Sequence, residues 1–519
     1  MNIPYTSQAR ALIEKIPPHR RLPLAAFAIP QFVLLLWWAA FFPGAMSYDS
    51  IAYVWHVTTD HWMSNHSVVY DSMVWVSLET TGDLWPLTLL QTIAMSATIA
   101  YTCVMLRDFG VRARFSLPAA AALVLLPSTG SFVVFVWKDV PYTIGALLAF
   151  AATGRLIARR LRGRSQARDR AFYREIGLLF LGCLCMGVFR TNGLLVMLFA
   201  APVLLFTLPK VRRWVLAATI VPVIISTLLQ TVVYPAVGIQ TPTKDQVYAM
   251  QYADIAVAYG KVPQTFSKHD LAIMEQVAPL SHWGGAAATC YSADPAMSKP
   301  MDRKAAARLN SQLLDIWSEV AKRTPQVLIG ARLCRSHIAW AIWPGPADKV
   351  GYTLISTPVT PKNLFGWADW NQEVKHSKYR PVLKMRPLSS TLHKGALFAF
   401  NASKTPQLDW LFFRGAIWCY MSYAIAIVMM RKRRQRGLAG LMAFTIGLQL
   451  CVLAANPAPL FRYMVAPMFI GFFFLPLLTV RTRLTLGPDT ARPARRPAPA
   501  PAPAGDMPEQ DKPLTPSPA

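Results

Sequence analysis

Charged residues are scarce in this sequence of 519 residues: Asp, Glu, Lys and Arg make up 15% of it, whereas 54% of the residues are hydrophobic. One or two soluble cores cannot accommodate so large an apolar fraction. The sequence also lacks a glycine-rich phosphate loop of the kind that binds nucleotides, and it has no repeat of fixed period. These absences exclude an ordinary soluble protein and favour a polytopic membrane protein.

Acidic residues are the scarcer charged class, with 26 against 53 Lys and Arg, which gives a formal net charge of +27. A basic excess can indicate a nucleic-acid partner when it covers one surface. Here it lies in runs between apolar segments, at residues 10–21, 107–114, 155–174, 210–213, 431–436 and after 481. The positive-inside rule predicts that these runs are cytoplasmic, so we expect no nucleic-acid partner.

Ten apolar segments have spanning or near-spanning length. They cover residues 22–42, 84–106, 116–136, 140–154, 176–189, 194–208, 214–234, 410–430, 438–455 and 464–480. An even number of spans agrees with cytoplasmic N- and C-termini, and the surrounding bilayer is expected to be the cell membrane. The first segment is longer than a usual signal core and has no clear small-residue cleavage site after it, which predicts a retained span.

The chain is predicted to have five parts. Residues 1–21 form a cytoplasmic N-terminus, 22–234 hold spans one to seven, 235–409 form an extracytoplasmic domain, 410–480 hold spans eight to ten, and 481–519 are a disordered Pro/Ala-rich cytoplasmic tail. The domain is expected to be mainly helical because residues 302–323 repeat apolar side chains at helical spacing, whereas residues 351–387 suggest irregular or β structure. The predicted fold class is therefore an all-α polytopic membrane protein with a mixed, mainly helical outer domain.

Seven cysteines divide into two groups. Five lie in the predicted spans, where a thiol behaves as a small apolar group. Cys290 and Cys334 lie in the outward domain, where an oxidising compartment would allow a disulfide between them.

The first outward loop, residues 43–83, contains no Lys or Arg but five acidic residues and three histidines. If residues 47–62 form a helix, one face of it is polar and a neighbouring stripe, Tyr48, Trp55 and Trp62, is aromatic. The polar face consists of Asp49, Tyr53, His56 and Asp60. This pattern is typical of an interfacial helix whose polar face lines a cavity, and a solvated amphipathic loop is the alternative.

The three histidines of this loop, at positions 56, 61 and 66, are five residues apart, which turns their rings away from one another on a helix. His66 with Asp49 or Asp139 could still hold a cation, so a divalent cation stays open as a cofactor, and the sequence does not establish whether one is required. Three unrelated exposed histidines are the alternative.

Each of three short outward turns carries one cation. The first has Lys138 beside Asp139, the second Arg190 with Asn192, and the third Arg462 with Tyr463. Holding charge at a membrane boundary costs free energy unless a partner compensates, although snorkelling to lipid headgroups would also explain any one of them. A carboxylate facing several fixed cations suits transfer of a sugar from a lipid phosphate, because the leaving phosphate needs positive charge and the attacking hydroxyl needs a base.

These residues resemble the membrane-embedded GT-C glycosyltransferases, which use polyprenyl-phosphate sugars, and within them an uncharacterised bacterial branch. The likeness rests on the stretches GAMSYDS, NHSVVYD, WKDVPYT and FRTNG together with FRYMVAP. Members often have His-Pro after the interfacial helix, whereas this chain has His66 followed by Ser67, so the role of His66 stays open.

The resemblance implies a role for each matching position. Asp49 would be the catalytic base, Asp139 would assist the acceptor or a metal, and Lys138, Arg190 and Arg462 would gather the donor phosphate. The acceptor cavity would be lined by Tyr48, Tyr53, His56, Asp60, His66, Asn192 and Tyr463.

The expected reaction is one inverting displacement that moves the sugar to a glycan, lipid or protein acceptor of the cell envelope. Two alternatives stay open. A ligase or polymerase of lipid-linked oligosaccharides also combines many spans with a large outer loop. A transporter or flippase of an anionic or lipid-linked substrate would also need outward cations, but it should place ionisable residues at mid-membrane.

Overall fold

The computed structural model describes residues 17–163, 168–343 and 369–480, and residues 369–371 for their backbone alone. The predicted disordered tail and most of the predicted N-terminal segment lie outside the described residues. So do residues 344–368, which include much of the stretch for which irregular or β structure was expected.

Among the described residues, six helices are long and apolar enough to cross a membrane. They are Pro18–Ala40, Trp85–Asp108, Asp139–Leu161, Arg170–Phe189, Pro209–Ala236 and Arg436–Ala454. Two bent helix pairs, Ala113–Leu125 with Pro127–Val133 and Pro406–Phe412 with Gly415–Arg433, raise the number to eight if each pair is one span. The sixth and tenth predicted segments form the shorter apolar helices Gly193–Thr207 and Val465–Thr479.

All ten predicted segments are therefore helical in the described part of the chain, and six to eight of them qualify as candidate spans, so the number ten is not confirmed. Proline explains one of the breaks. Leu126 precedes Pro127 and has an extended ψ of 131°, because a residue before proline avoids the helical region, and the two helices meet there at 76°.

The other helices lie in the polar segments between the candidate spans. Two of them, Tyr48–Thr58 and Val68–Thr81, form the first polar loop. Eight more build what we call the interspan domain, residues 244–340: Lys244–Val247, Ala249–Lys261, Lys268–Glu275, Leu280–Gly284, Arg303–Arg308, Asn310–Arg323, Pro325–Arg335 and His337–Trp340. Asp369–His376 and Ser390–Ser403 follow. The described part contains no strand, only isolated bridges between Ala45 and Phe135 and between Met63 and Gln240, which confirms the all-α prediction.

The interspan domain has its own hydrophobic core. The Asn310–Arg323 helix buries Leu313, Ile316 and Val320, as its spacing predicts. The described end of the 351–387 stretch is helical at Asp369–His376 and at the 3₁₀ turn Arg380–Leu383. The expectation of irregular or β structure is wrong there.

The first polar loop is held against the segment that precedes the Asp139–Leu161 helix. The Ala45 amide donates to the Val134 carbonyl oxygen, and the Val136 amide donates to the Ala45 carbonyl oxygen, both at 2.9 Å. Gly44 allows this approach, because a Cβ at that position would lie 2.6 Å from the Thr88 side chain and 3.1 Å from the Val134 oxygen. Two segments far apart in sequence are thus fixed side by side.

The turn between the Arg170–Phe189 and Gly193–Thr207 helices is equally tight. The Gly193 amide donates to the Arg190 carbonyl oxygen at 2.9 Å. A Cβ on Gly193 would fall 2.5 Å from the Met186 carbonyl carbon and closer still to its oxygen. Since both atoms belong to the backbone, they cannot move aside as a flexible side chain could.

Gly193→Ala is therefore expected to destabilise the protein by about 1–3 kcal/mol, the usual cost of overpacking. The thermal unfolding midpoint of the purified protein in detergent measures the effect. Gly177→Ala is the matched control, because no heavy atom lies within 4 Å of the Cβ position at Gly177. Equal midpoints for the two variants would contradict the steric argument.

Candidate functional site

Nine residues line a polar cavity that contains about 500 Å³ of empty space, part of it open to solvent. They are Asp49, His66, Lys138, Asp139, Arg190, Thr191, Asn192, Arg462 and Tyr463. Four segments that are distant in sequence supply them. All of these residues except Thr191 are candidate site residues predicted from the sequence, and Thr191 lies inside the FRTNG stretch.

Both carboxylates of the cavity sit in the first turn of a helix, Asp49 in Tyr48–Thr58 and Asp139 in Asp139–Leu161. A helix N-terminus stabilises negative charge because its free amides point outward. The first of these helices begins at a cap in which the Ser47 amide donates to Ser50 Oγ at 2.9 Å, and Trp137 Nε1 donates to Ser47 Oγ. This contact ties the position of Asp49 to the segment that carries Lys138.

Two ion pairs cross the cavity. Arg462 Nη1 pairs with Asp49 Oδ2, and the two side chains are 15% and 20% exposed. Arg190 Nη1 lies 2.6 Å from Asp139 Oδ1, and their side chains are 13% and 2% exposed. Charges so far removed from water need such partners.

Lys138 is the third cation, and its Nζ lies 3.3 Å from His66 Nδ1. Within the described residues it forms no salt bridge, whereas each of the two cavity carboxylates is paired with an arginine. Three cations against two carboxylates leave the cavity with an excess of one positive charge.

Aromatic rings hold the two arginines next to each other. The Tyr463 ring lies 4.5 Å from the Arg190 guanidinium carbon and 5.3 Å from that of Arg462. Tyr142 and Trp137 cover the outer sides of Arg190 and Arg462 at 5.4 and 5.6 Å. Cation–π contacts of this kind keep a guanidinium in place without neutralising its charge.

Electrostatics fix the protonation of the cavity at neutral pH. Burial raises the pKa of Asp49, but the positive charges of Arg462 and Lys138, together with that of His66 where acid protonates its ring, lower it by more, to about 2. Burial, followed by the charge of Lys138, lowers the pKa of His66 well below its usual value. Asp49 is therefore ionised and His66 is neutral.

Behind His66 lies a buried layer that includes a third carboxylate, Asp71, and a second histidine, His56. His56 Nδ1 and Asp71 Oδ2 are 2.9 Å apart, and both side chains are at most 2% exposed. The ring of His66 lies 5.4 Å from those of His56 and Tyr53. Burial raises the pKa of Asp71, and Asp71 Oδ1 has no hydrogen-bond partner among the described residues.

Several residues of this layer and of the cavity wall have no role in the sequence-based prediction. Asp71 enters it only as the last letter of NHSVVYD, and Trp137 and Tyr142 only as part of WKDVPYT. The sequence separation between these residues and their partners, His56 and the two arginines, does not predict the contacts. The contacts form only because separate helices and loops pack together. Their place within the NHSVVYD and WKDVPYT motifs is the sequence feature that could have identified these residues.

The predicted polar helix face is correct for Asp49, Tyr53 and His56 but wrong for Asp60. The helix ends at Thr58, and Asp60 follows it with a φ of 59° and an exposed side chain. Tyr53 and His56 are buried behind the cavity and do not line it. Tyr48 is 47% exposed and also lies outside the cavity lining.

The metal hypothesis for His66 does not fit its surroundings. His66 Nδ1 faces the Lys138 ammonium, and both nearby carboxylates already pair with arginines. Across the described residues no group of three or more His, Cys, Asp or Glu side chains is arranged to hold a metal ion. The donor set of this cavity is suited to an anion.

Cys290 and Cys334 form a disulfide, with their Cα atoms 5.7 Å apart. The Arg335 carbonyl next to Cys334 accepts a hydrogen bond from Asn456, at the start of the loop that carries Arg462. The interspan domain therefore touches the segment that completes the cavity.

Residues 53–491 match a protein family of unknown function, DUF6020. The match begins four residues after Asp49 and includes the other eight residues of the cavity lining. No curated protein and no solved structure matches the chain.

The pKa of Asp49 predicts a pH dependence of stability. Its folded value of about 2 lies below the unfolded value of 3.8, so the stabilisation is complete above the unfolded value and is lost as the pH falls toward the folded one. We expect the unfolding midpoint of the wild type to drop more steeply between about pH 5 and about pH 3 than that of Asp49→Asn.

Asp60→Asn is the control for this comparison, since Asp60 is an exposed carboxylate two residues beyond the same helix. This variant should keep the steep acid dependence of the wild type. Equal slopes for Asp49→Asn and the wild type would show that the Arg462 pair does not set the pKa of Asp49.

Proposed function

The chain belongs to the DUF6020 family, and we propose that it is an integral membrane glycosyltransferase that moves a sugar from a polyprenyl-phosphate donor to an extracytoplasmic acceptor. One observation carries the proposal. Three cations and two carboxylates from four separate segments meet in a single cavity at the ends of candidate membrane-spanning helices. Holding these charges at a membrane boundary costs free energy, and a bound ligand of opposite charge would offset that cost.

The charge of the cavity favours a phosphodiester as donor. Its excess of one positive charge equals the single negative charge of a lipid–phosphate–sugar diester. A diphosphate-linked donor carries one negative charge more and would leave the occupied cavity with a net negative charge. This comparison argues against a ligase or polymerase that uses diphosphate-linked oligosaccharides.

Asp49 is proposed as the general base. In the described state Arg462 holds its pKa at about 2, which makes the carboxylate a weak base. A donor phosphate that draws Arg462 away would remove the strongest of the lowering interactions, so that burial would raise the pKa of Asp49. The base would then be strengthened by the arrival of the donor.

In the proposed step the acceptor hydroxyl gives its proton to an Asp49 carboxylate oxygen. The acceptor oxygen forms a bond to the anomeric carbon of the sugar, and the bond from that carbon to the phosphate oxygen breaks. The polyprenyl phosphate leaves with the electron pair, and Lys138, Arg190 and Arg462 stabilise the charge that develops on it. Asp139 would hold Arg190 in place through their ion pair.

The proposed topology puts the cavity on the extracytoplasmic side of the cell membrane, with both chain termini in the cytoplasm. The Arg-rich segments lie at the opposite ends of the candidate spans from the cavity, as the positive-inside rule requires. In this topology the two bent pairs and the two shorter helices complete ten spans. The interspan domain, on the same side as the cavity, would cover the glycan, lipid or protein acceptor.

A transporter is less well supported than an enzyme. Charged residues within the six continuous candidate spans of the described chain lie within about two turns (about 11 Å) of a helix end. Glu175, which is buried and approached by Arg155, lies near the start of the Arg170–Phe189 helix, at the end opposite the cavity. A coupled transporter would place such groups near the bilayer midplane.

The first test of the enzyme is transfer itself. Purified full-length protein is incubated with a panel of radiolabelled polyprenyl-phosphate sugars and envelope extract, and one donor is expected to yield a labelled product. Asp49→Asn should reduce the transfer rate by about 100-fold or more, as loss of a general base does, while donor binding persists. Glu79→Gln, which removes an exposed carboxylate of the same loop, should transfer normally.

Absence of product with every donor, or full activity of Asp49→Asn, would contradict the proposal. The unchanged control excludes a general effect of removing negative charge from the loop.

The second test concerns donor charge. Wild-type protein is expected to bind a short-chain glycosyl phosphodiester more tightly than the corresponding diphosphate. Lys138→Gln should weaken phosphodiester binding by about 10- to 100-fold, the usual range for a lost charged hydrogen bond, and Lys138→Arg should retain most of it. Competition binding at constant salt measures all three proteins. Tighter binding of the diphosphate by the wild type would reverse the assignment.

A further inference from the structure

The interspan domain forms hydrogen bonds to two consecutive residues of the loop that carries Arg462. Asn456 Nδ2 donates to the Arg335 carbonyl oxygen at 2.8 Å. The amide of Ala293 donates to the Pro457 carbonyl oxygen at 2.9 Å. Asn456 is 4% exposed, so its bond is shielded from competing water.

The two residues of the interspan domain that form these hydrogen bonds are close in sequence to the two disulfide cysteines. Arg335 directly follows Cys334, and Ala293 lies three residues after Cys290. The two cysteines are 44 positions apart in sequence, and the helices Arg303–Arg308 and Asn310–Arg323 lie between them. We call residues 290–293 the Cys290 arm and residues 334–339 the Cys334 arm. The disulfide is a covalent cross-link between these two arms, which contact Pro457 and Asn456 respectively.

The second arm is also anchored in the candidate membrane bundle. Gln449 Nε2 donates to the Ala339 carbonyl oxygen at 2.7 Å, and Ile338 and Ala339 pack with Cys419, Val452 and Met464. Met464 follows Arg462 and Tyr463 directly. The Cys334 arm is thus fixed at the start and at the end of the Arg462 loop, whereas the Cys290 arm reaches it only through Ala293 among the hydrogen bonds of the described backbone.

We propose that the Cys290–Cys334 disulfide is a positioning element of the cavity, which holds residues 456–463 so that Arg462 meets Asp49 and shares the Tyr463 ring with Arg190. Without the bond, the Cys290 arm is connected to the Cys334 arm only through the packing of the interspan core, to which Ala293 belongs, so that Pro457 is held less firmly. Arg462 then loses its fixed place opposite Asp49. The cavity would reach its active arrangement only where thiols are oxidised.

This role deepens the proposed function, because Arg462 is one of the cations assigned to the donor phosphate. The geometric claim can be tested without any substrate. Hydrogen–deuterium exchange followed by mass spectrometry is measured on the full-length protein in nanodiscs, as wild type, as wild type after reduction, and as the double variant Cys290→Ser/Cys334→Ser.

We expect amide exchange in the peptide covering residues 456–464 to rise by about tenfold or more in the reduced protein and in the double variant. Exchange in residues 139–161, the buried Asp139–Leu161 helix, should not change. Unchanged exchange at 456–464 after the disulfide is removed would overturn the proposal, since the bond would then stabilise the interspan domain alone.

Two further variants separate positioning from general stability. Asn456→Asp keeps the disulfide but replaces the amide donor with a carboxylate beside the Arg335 carbonyl oxygen, and it should also increase exchange at 456–464. Tyr252→Phe weakens the interspan domain elsewhere, by removing the 2.7 Å bond to Asn310, and should leave exchange at 456–464 unchanged. If the double variant does not fold, Asn456→Asp decides: protection equal to that of the wild type overturns the proposal.

The catalytic consequence is measured separately. If the protein transfers sugar, the reduced enzyme should show a KM for the donor raised by about tenfold or more, with a smaller change in kcat, since Arg462 acts on the bound phosphate. Faster exchange at 456–464 without any transfer would retain the positioning role and reject the glycosyltransferase. A normal donor KM in a protein with faster exchange would show that the loop moves without affecting the site, and would overturn the functional part of the inference.

Discussion

The pairing of buried charges at one end of the helix bundle is the constraint on which the rest of the structure depends. Arg462 with Asp49 and Arg190 with Asp139 are mostly removed from water, and an unpartnered charge in that environment costs several kcal/mol (about 3–5 when one member of a pair is lost). The connecting segments must therefore bring four distant stretches of sequence together accurately. Three contacts meet this requirement: the bridge between Ala45 and Phe135, the tight turn at Gly193, and the hydrogen bond from Asn456 to the interspan domain.

Much of the fold is readable from the sequence because the signals are local. Long apolar runs and alternating basic segments depend on composition alone, and each of the ten predicted runs is helical. The number of spans is harder to predict, since the breaks at Leu126 and near Phe413 depend on backbone conformation and not on hydropathy. Helix ends raise the same problem: the polar face was predicted over 47–62, but the helix stops at Thr58 and leaves Asp60 outside.

The site was predictable to the extent that its residues stand at the tips of turns. Lys138, Arg190 and Arg462 are conspicuous because each is the cation of an otherwise apolar hairpin. The pairing of the two arginines with Asp139 and Asp49 cannot be read from the local sequence. The same holds for the buried layer behind the cavity. Asp71 meets His56 only because two short helices pack together, and Tyr463 lies between the arginines only because a loop from the far end of the chain is held by another domain.

In the proposed ten-span topology, the shortness of the Gly193–Thr207 helix would have a consequence for the bilayer. Its 15 residues are about 22 Å long at the normal rise per residue, whereas the hydrocarbon core is about 30 Å thick. Hydrophobic mismatch of this size is relieved by local thinning of the membrane. Since Asn192 and Thr191 stand at the start of this helix, the thinned region would bring lipid headgroups down to the level of the arginines, so that a phosphate could be bound without lifting its hydrocarbon chain out of the leaflet.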